Sequence, residues 1–148
     1  MNVAKVIAGF CLVAVAGIAA EGWLTDYDAA VAKAKAEKKT ILLDFTGSDW
    51  CGWCIKLDKE VFSQKAFKEY ADKNLVPVVL DFPRKKEQSE EIKKQNRELQ
   101  KKYKIRGYPT IILVNSEGKE IARTGYQRGG AEKYVEHLKT LIGEGKTE

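Results

Sequence analysis

Apolar positions along this chain switch between helical and strand-like spacing. The first segment opens with Thr25-Asp26-Tyr27-Asp28, a capping-box pattern, after which Tyr27, Ala30, Val31 and Ala34 share one face with lysines opposite. This predicts a helix to about Lys38. Lys39 to Thr46 reads as a buried strand, because its short apolar and β-branched run before Asp44 is too brief for a helix between polar flanks. Gly47-Ser48-Asp49 supplies a turn. From Cys51 the positions Ile55, Leu57, Val61 and Phe62 recur as on a helix, and Ser63 is placed to cap a further short helix containing Phe67 and Tyr70.

Leu75 to Phe82 reads as a second strand, with Pro77 tolerable at a strand end or edge and Pro83 closing it. Glu87 to Tyr103 is highly charged, yet Ile92, Leu99 and Tyr103 form one narrow apolar stripe on a long helix. Thr110 to Val114 and Glu120 to Gly125 are third and fourth strands joined by the turn Asn115-Ser116-Glu117-Gly118. Ala131 to Ile142 is a last helix, with Tyr134, Val135, Leu138, Leu141 and Ile142 inward and Gly143 ending it. A βαβ unit followed by a ββα unit is an α/β arrangement: a four-stranded mixed sheet with helices on both faces. The first two strands are expected to be parallel through a right-handed crossover and the last two antiparallel.

A chain of 148 residues fits one folded domain. Its formal charge of +5 is unevenly placed, since residues 84–106 hold ten basic and four acidic residues. That stretch has helical spacing and few aromatics, so a solvated helix face is expected rather than a nucleic-acid surface.

The N-terminus reads as a signal peptide over residues 1–20, leaving a domain over residues 21–148. Lys5 precedes the apolar run from Val6, and Gly17-Ile18-Ala19-Ala20 offers small residues for cleavage. The run reaches 15 residues before Glu21, short of the roughly 18–20 of a spanning helix. Export with cleavage is therefore expected over an uncleaved anchor. Cys11 is preceded by the bulky Phe10, unlike a lipid-attachment site.

Without those first residues only Cys51 and Cys54 remain, within Trp50-Cys51-Gly52-Trp53-Cys54. Disulfides persist in an exported protein, and a ring this small is a poor structural staple, so the pair reads as a redox switch. Cys51 at a helix N-terminus has its thiolate favoured by free N–H groups and the helix dipole, which makes it the expected nucleophile, with Cys54 one turn inward to resolve a mixed disulfide. Gly52 is expected to let the chain turn into the helix. Trp53 carries no group that titrates near neutral pH, so the expected potential lies nearer ~−270 mV than the ~−120 mV of a strong oxidant. Lys56 and Lys59 add positive potential.

Half a zinc site is the competing reading of the cysteines, but there is no second pair and His137 is the only histidine. Covalent haem would need histidine where Ile55 stands. No metal and no cofactor are expected.

The sequence resembles the thioredoxin superfamily over nearly all of residues 21–148. Trp50 to Cys54 looks like its redox motif, and Arg106-Gly107-Tyr108-Pro109-Thr110 like its Gly-x-Pro-Thr loop. Gly125 matches a family glycine after the fourth strand, and Asp44 its buried aspartate, although one extra residue separates Asp44 from Cys51. Phe45-Thr46-Gly47-Ser48-Asp49-Trp50-Cys51, Asp81-Phe82-Pro83 and the extended charged helix before the proline loop are similar to exported bacterial Dsb-type proteins of the DsbH-like group.

The resemblance implies a thioredoxin fold, a cis peptide before Pro109, and periplasmic thiol-disulfide exchange on protein disulfides. It also implies a raised pKa for Asp44, suited to accepting the proton of Cys54. Trp50, Gly52, Trp53, Tyr108 and Pro109 are the substrate-binding candidates, the Tyr108 backbone pairing with an extended peptide. Trp50 and Tyr108 also fit plain packing roles, and Asp44 a local hydrogen bond at a strand end. A reductase or isomerase is expected, supplied with electrons by a membrane protein of the DsbD type. The alternatives are a disulfide-donating oxidase and a module that binds metal or peptide without turnover.

Overall fold

The computed structural model describes residues 20–143, so the expected signal segment lies outside them except for Ala20. Helix α1 (Tyr27–Glu37) begins at Asp26, whose side chain accepts the Ala29 N–H at 3.0 Å, and ends at Lys38 in the left-handed region. Thr25 is therefore not the cap. Gln95 holds this turn from both sides, donating to the Thr25 carbonyl and accepting the Tyr27 N–H, each at 2.9 Å, and so sets Asp26 at the helix start.

Strand β1 (Thr40–Thr46) leads through the redox loop into α2 (Gly52–Leu57), which continues as a π turn over Asp58–Phe62. Helix α3 (Lys65–Asn74) follows. Ser63 does not cap it: its hydroxyl turns back to Asp58 at 3.2 Å, and Gln64 stands at the cap with no side-chain bond. Strand β2 (Leu75–Asp81) runs parallel to β1, then α4 (Glu90–Lys102) starts at Ser89, which accepts the Ile92 N–H at 3.3 Å. Glu90 and Glu91 in its first turn and Lys101 and Lys102 in its last complement the helix dipole. Strands β3 (Thr110–Val114) and β4 (Glu120–Thr124) form an antiparallel hairpin, and α5 (Gly130–Ile142) closes the chain.

The sheet order is β2-β1-β3-β4, with β1 antiparallel to β3. β1 is central and β2 is an edge. Pro77 fits that edge because its carbonyl faces outward to the Leu24 N–H at 2.9 Å, and its own missing N–H lies on the same outer side.

Alternation along the strands sends side chains to two cores. Leu42, Ile111 and Leu113 meet Leu57, Phe62, Phe67, Tyr134 and Leu138 on one face. Ile41, Leu43, Phe45, Val78, Leu80 and Ile112 meet Ala30, Ala34, Leu99 and Tyr103 on the other. Each such aliphatic, fully buried, contributes about 1.5–3 kcal/mol over exposure. The same alternation sends Asp44 to the face of Leu42, the side covered by α2 and α5. Among the described residues no helix is long and apolar enough to cross a membrane.

Candidate active site

Cys51 and Cys54 are joined by a disulfide with their Cα atoms 5.2 Å apart. Cys51 is the cap of α2, in an extended conformation, and its Sγ accepts the Cys54 N–H at 3.3 Å. The approach is made by Gly47, whose carbonyl accepts the N–H groups of Trp50 and Cys51 at 3.2 and 2.8 Å. A Cβ at Gly47 would lie 2.3 Å from the Trp50 ring, so only glycine fits. Gly52, by contrast, has open space around it and no left-handed backbone. The tight turn belongs to Gly47, and nothing around Gly52 requires a glycine.

The redox loop is tied to the end of β2. The Trp50 indole N–H donates to the Phe82 carbonyl at 2.7 Å, and its ring meets Tyr108 edge-on with centroids 5.7 Å apart. The Arg84 guanidinium lies 4.1 Å above the Trp50 ring. Asp49 accepts the backbone N–H groups of Arg84, Lys85 and Lys86 at 2.9, 2.7 and 3.0 Å, which hold its carboxyl below the usual carboxylate range. Ser48 donates its N–H to Asp81 at 2.9 Å, and its hydroxyl bonds the other carboxylate oxygen. This is why α4 starts at Glu90 and not at Glu87: the intervening loop spends its N–H groups on Asp49, and Gln88 donates to the Asp81 carbonyl at 3.1 Å.

The Tyr108–Pro109 peptide is cis. Gln100 on α4 holds the Tyr108 hydroxyl, and the Tyr108 ring packs on Phe82 at 5.4 Å, so the proline loop and redox loop share one aromatic cluster. A Cβ on Gly125 would come within 3.3 Å of the Pro109 carbonyl, and the Gly125 carbonyl accepts the Tyr134 hydroxyl at 2.9 Å. Trp53 is 53% exposed, tilted against Tyr126 at 5.1 Å, with Lys56 5.1 Å from its ring and 5.4 Å from that of Tyr126. Tyr126 donates to Glu60, and Lys56 lies 3.8 Å from the same carboxylate. The positive charge of Lys56 is thus shared with that cluster.

Asp44 is buried, and its Oδ1 has no hydrogen-bond partner. Burial pushes its pKa up to about 8, with the charges of Asp58 and Asp81 adding to the shift. At neutral pH it is therefore mostly protonated, with a minor ionised fraction. Among the described residues no cluster of His, Cys, Asp or Glu could hold a metal ion.

The thioredoxin-like domain family matches residues 27–142, spanning every element from α1 to α5. The chain belongs to the thioredoxin-like family. This thioredoxin-like chain is 40% identical over 116 residues to the disulfide bond reductase DsbH of Chlamydia pneumoniae, covering 78% of this chain and 70% of that protein. It is 37% identical over 103 residues to the thioredoxin-related protein DsbJ of the same organism, of whose length it spans 30%. The solved structure of a DsbH oxidoreductase superposes with a TM-score of 0.77 at 40% identity, covering 80% of this chain and 82% of that one.

In this thioredoxin-like chain the structure brings Trp50, Cys51, Cys54, Tyr108 and Pro109 to one end of the sheet, and leaves Trp53 at the rim. Asp49, Asp81 and Arg84 escaped the sequence reading as site residues. Their side-chain partners lie 33 to 37 positions away, where local spacing carries no signal.

Proposed function

We propose that this chain is an exported thiol-disulfide oxidoreductase that reduces or isomerises protein disulfides. The observation that carries the reading is the Cys51–Cys54 disulfide at the start of α2, packed through Trp50 against the loop of the cis Tyr108–Pro109 peptide. The 40% identity to a protein named a disulfide bond reductase supports the reductive direction.

In the reduced protein the Cys51 thiolate attacks one sulfur of a substrate disulfide, forming a mixed disulfide and releasing the other substrate sulfur as a thiolate. Cys54 then attacks Cys51 and releases the second. The substrate gains two electrons and the enzyme is left with the disulfide seen here. Asp44, with its pKa raised to about 8, takes the proton of Cys54 in the second step through the minor fraction that is ionised near neutral pH. Trp50, Gly52, Trp53 and Tyr108 line the approach, and the chain around Pro109 offers its backbone to an extended peptide. In an oxidising periplasm the dithiol must be restored by electrons from across the membrane, the task of a DsbD-type donor.

Reduction of insulin disulfides tests the activity. Cys51→Ser is expected to abolish it, and Cys54→Ala to accumulate mixed disulfides with substrate. Full turnover by Cys51→Ser would overturn the assignment. The direction is tested by equilibrating the pair with glutathione: a potential below about −220 mV fits a reductase, and one above about −150 mV makes the chain a disulfide donor.

A further inference from the structure

Most of the positive excess of residues 84–106 lies off α4. Glu90–Lys102 holds five basic and three acidic side chains, whereas Arg84-Lys85-Lys86 before the helix and Lys104 and Arg106 after it supply five more cations against Glu87 alone. The fold draws these two loops together. The Arg84 guanidinium lies 4.1 Å from the centre of the ring of Trp50, the residue before Cys51, and Arg106 precedes Gly107 and Tyr108, whose ring meets Trp50 edge-on. We propose that they form a recognition rim for polypeptides with acidic residues beside the reacting disulfide. The proposal rests on the thiol-disulfide reading above and specifies its substrate class.

Three observations carry it. Asp49 binds the N–H groups of three successive residues, so the backbone of the first loop is already ordered while the side chains of Arg84, Lys85 and Lys86 stay exposed. A partner that pairs with them has no loop to order, which lowers the cost of binding. Asp49 takes one unit from the local charge and Asp81 lies below with Ser48, leaving the outward groups cationic. Lys86 reaches the Ser48 hydroxyl at 3.3 Å, and the Arg84 guanidinium lies 4.1 Å from the centre of the Trp50 ring with no ion pair among the described residues. An exposed guanidinium suits bidentate capture of a carboxylate.

On the other side, Lys104, Arg106 and Arg123 line a groove of about 630 Å³ with Gly107 and Thr110 of the proline loop. Arg123 is already bound by both carboxylate oxygens of Glu120, at 2.7 and 2.8 Å. Lys104 and Arg106 have no ion pair among the described residues, so an incoming carboxylate meets two unpaired cations beside the peptide-binding edge. Separately each exposed pair is weak, but five cations on the two loops that reach Trp50 through Arg84 and Tyr108 raise the encounter rate of an acidic chain and disfavour a basic one.

The test uses three disulfide-linked peptide pairs of one length, with acidic, neutral or basic residues flanking the cysteines, turned over by the reduced protein. The expected kcat/KM for the acidic pair exceeds that for the neutral pair by roughly five- to thirtyfold at about 0.02 M salt and converges on it at about 0.5 M, where the screening length is only a few ångströms. Lys85→Gln/Lys86→Gln is expected to lower that ratio at least about twofold, and Lys85→Glu/Lys86→Glu to lower it further and favour the basic pair. Equal turnover of acidic and neutral pairs by the wild type, or a ratio unmoved in both variants, overturns the rim. Failure to turn over even the neutral pair would instead overturn the oxidoreductase reading.

Discussion

Trp50 donates its indole N–H to the backbone carbonyl of Phe82 at 2.7 Å, across 32 positions of sequence. That one bond ties the residue before the nucleophile to the end of β2 and fixes the ring that Tyr108 meets edge-on and Arg84 covers at 4.1 Å. Trp50→Phe keeps an aromatic ring but leaves the Phe82 carbonyl unpaired. A loss of about 0.5–1.5 kcal/mol is expected in urea unfolding, together with slower insulin reduction. Unchanged stability would mean that water replaces the indole without cost.

Gly47→Ala asks whether the close approach beneath Trp50 is needed. The added methyl has no room unless the ring moves, and overpacking of this kind costs about 1–3 kcal/mol. The loss should appear in the urea midpoint with an unchanged slope, and turnover should fall with it. Gly52→Ala, where a methyl meets nothing within 4 Å, is the comparison and should unfold much as the wild type does.

Asp44 links stability to pH. Its carboxyl, ordinarily at 3.8, is raised to about 8 in the folded protein. Between those values the folded chain keeps a proton that the unfolded chain has lost, so stability falls as pH rises through this window and levels off above it. Asp44→Asn has no such proton and should gain stability relative to the wild type as pH rises from about 4 to about 8. Parallel profiles for the two proteins in urea would show that Asp44 ionises normally. In rapid-quench kinetics the same variant should resolve the mixed disulfide at least about a hundredfold more slowly, the lower range for a lost general base.

Asp49 acts in the opposite sense. Three backbone N–H groups favour its charged form, so its contribution is present above the ordinary carboxylate value of 3.8 and is lost as pH falls through the lower folded value. Asp49→Asn should be less stable than the wild type at neutral pH, with the difference closing in acid. Amide hydrogen exchange at residues 84–86 should quicken in the variant; protection equal to the wild type would mean that the loop is held by other contacts.

Much of the fold was legible because its signals are local. The run from Thr40 to Leu43, the hairpin turn at residues 115–118, and the apolar face of α5 are written in spacing alone, and the parallel and antiparallel pairings follow from element order. Where the reading missed, a distant partner had intervened. Asp26 displaced Thr25 as a cap because Gln95 holds the turn, and residues 87–89, charged and suited to a helix, stayed in a loop anchored by Asp49 and Asp81. Most of the charge assigned to a solvated helix face sits in the loops on either side of α4.

By itself the sequence determined the elements, their order and a cysteine pair spaced to close on itself at a helix start, since each depends on residues within a few positions of one another. The tertiary structure alone decided that β1 is central, that Asp44 is deprived of water and kept protonated, and that two cationic loops meet beside Trp50. Those properties arise from desolvation and from contacts between segments some thirty or more residues apart, and neither is carried by the periodicity of a single segment.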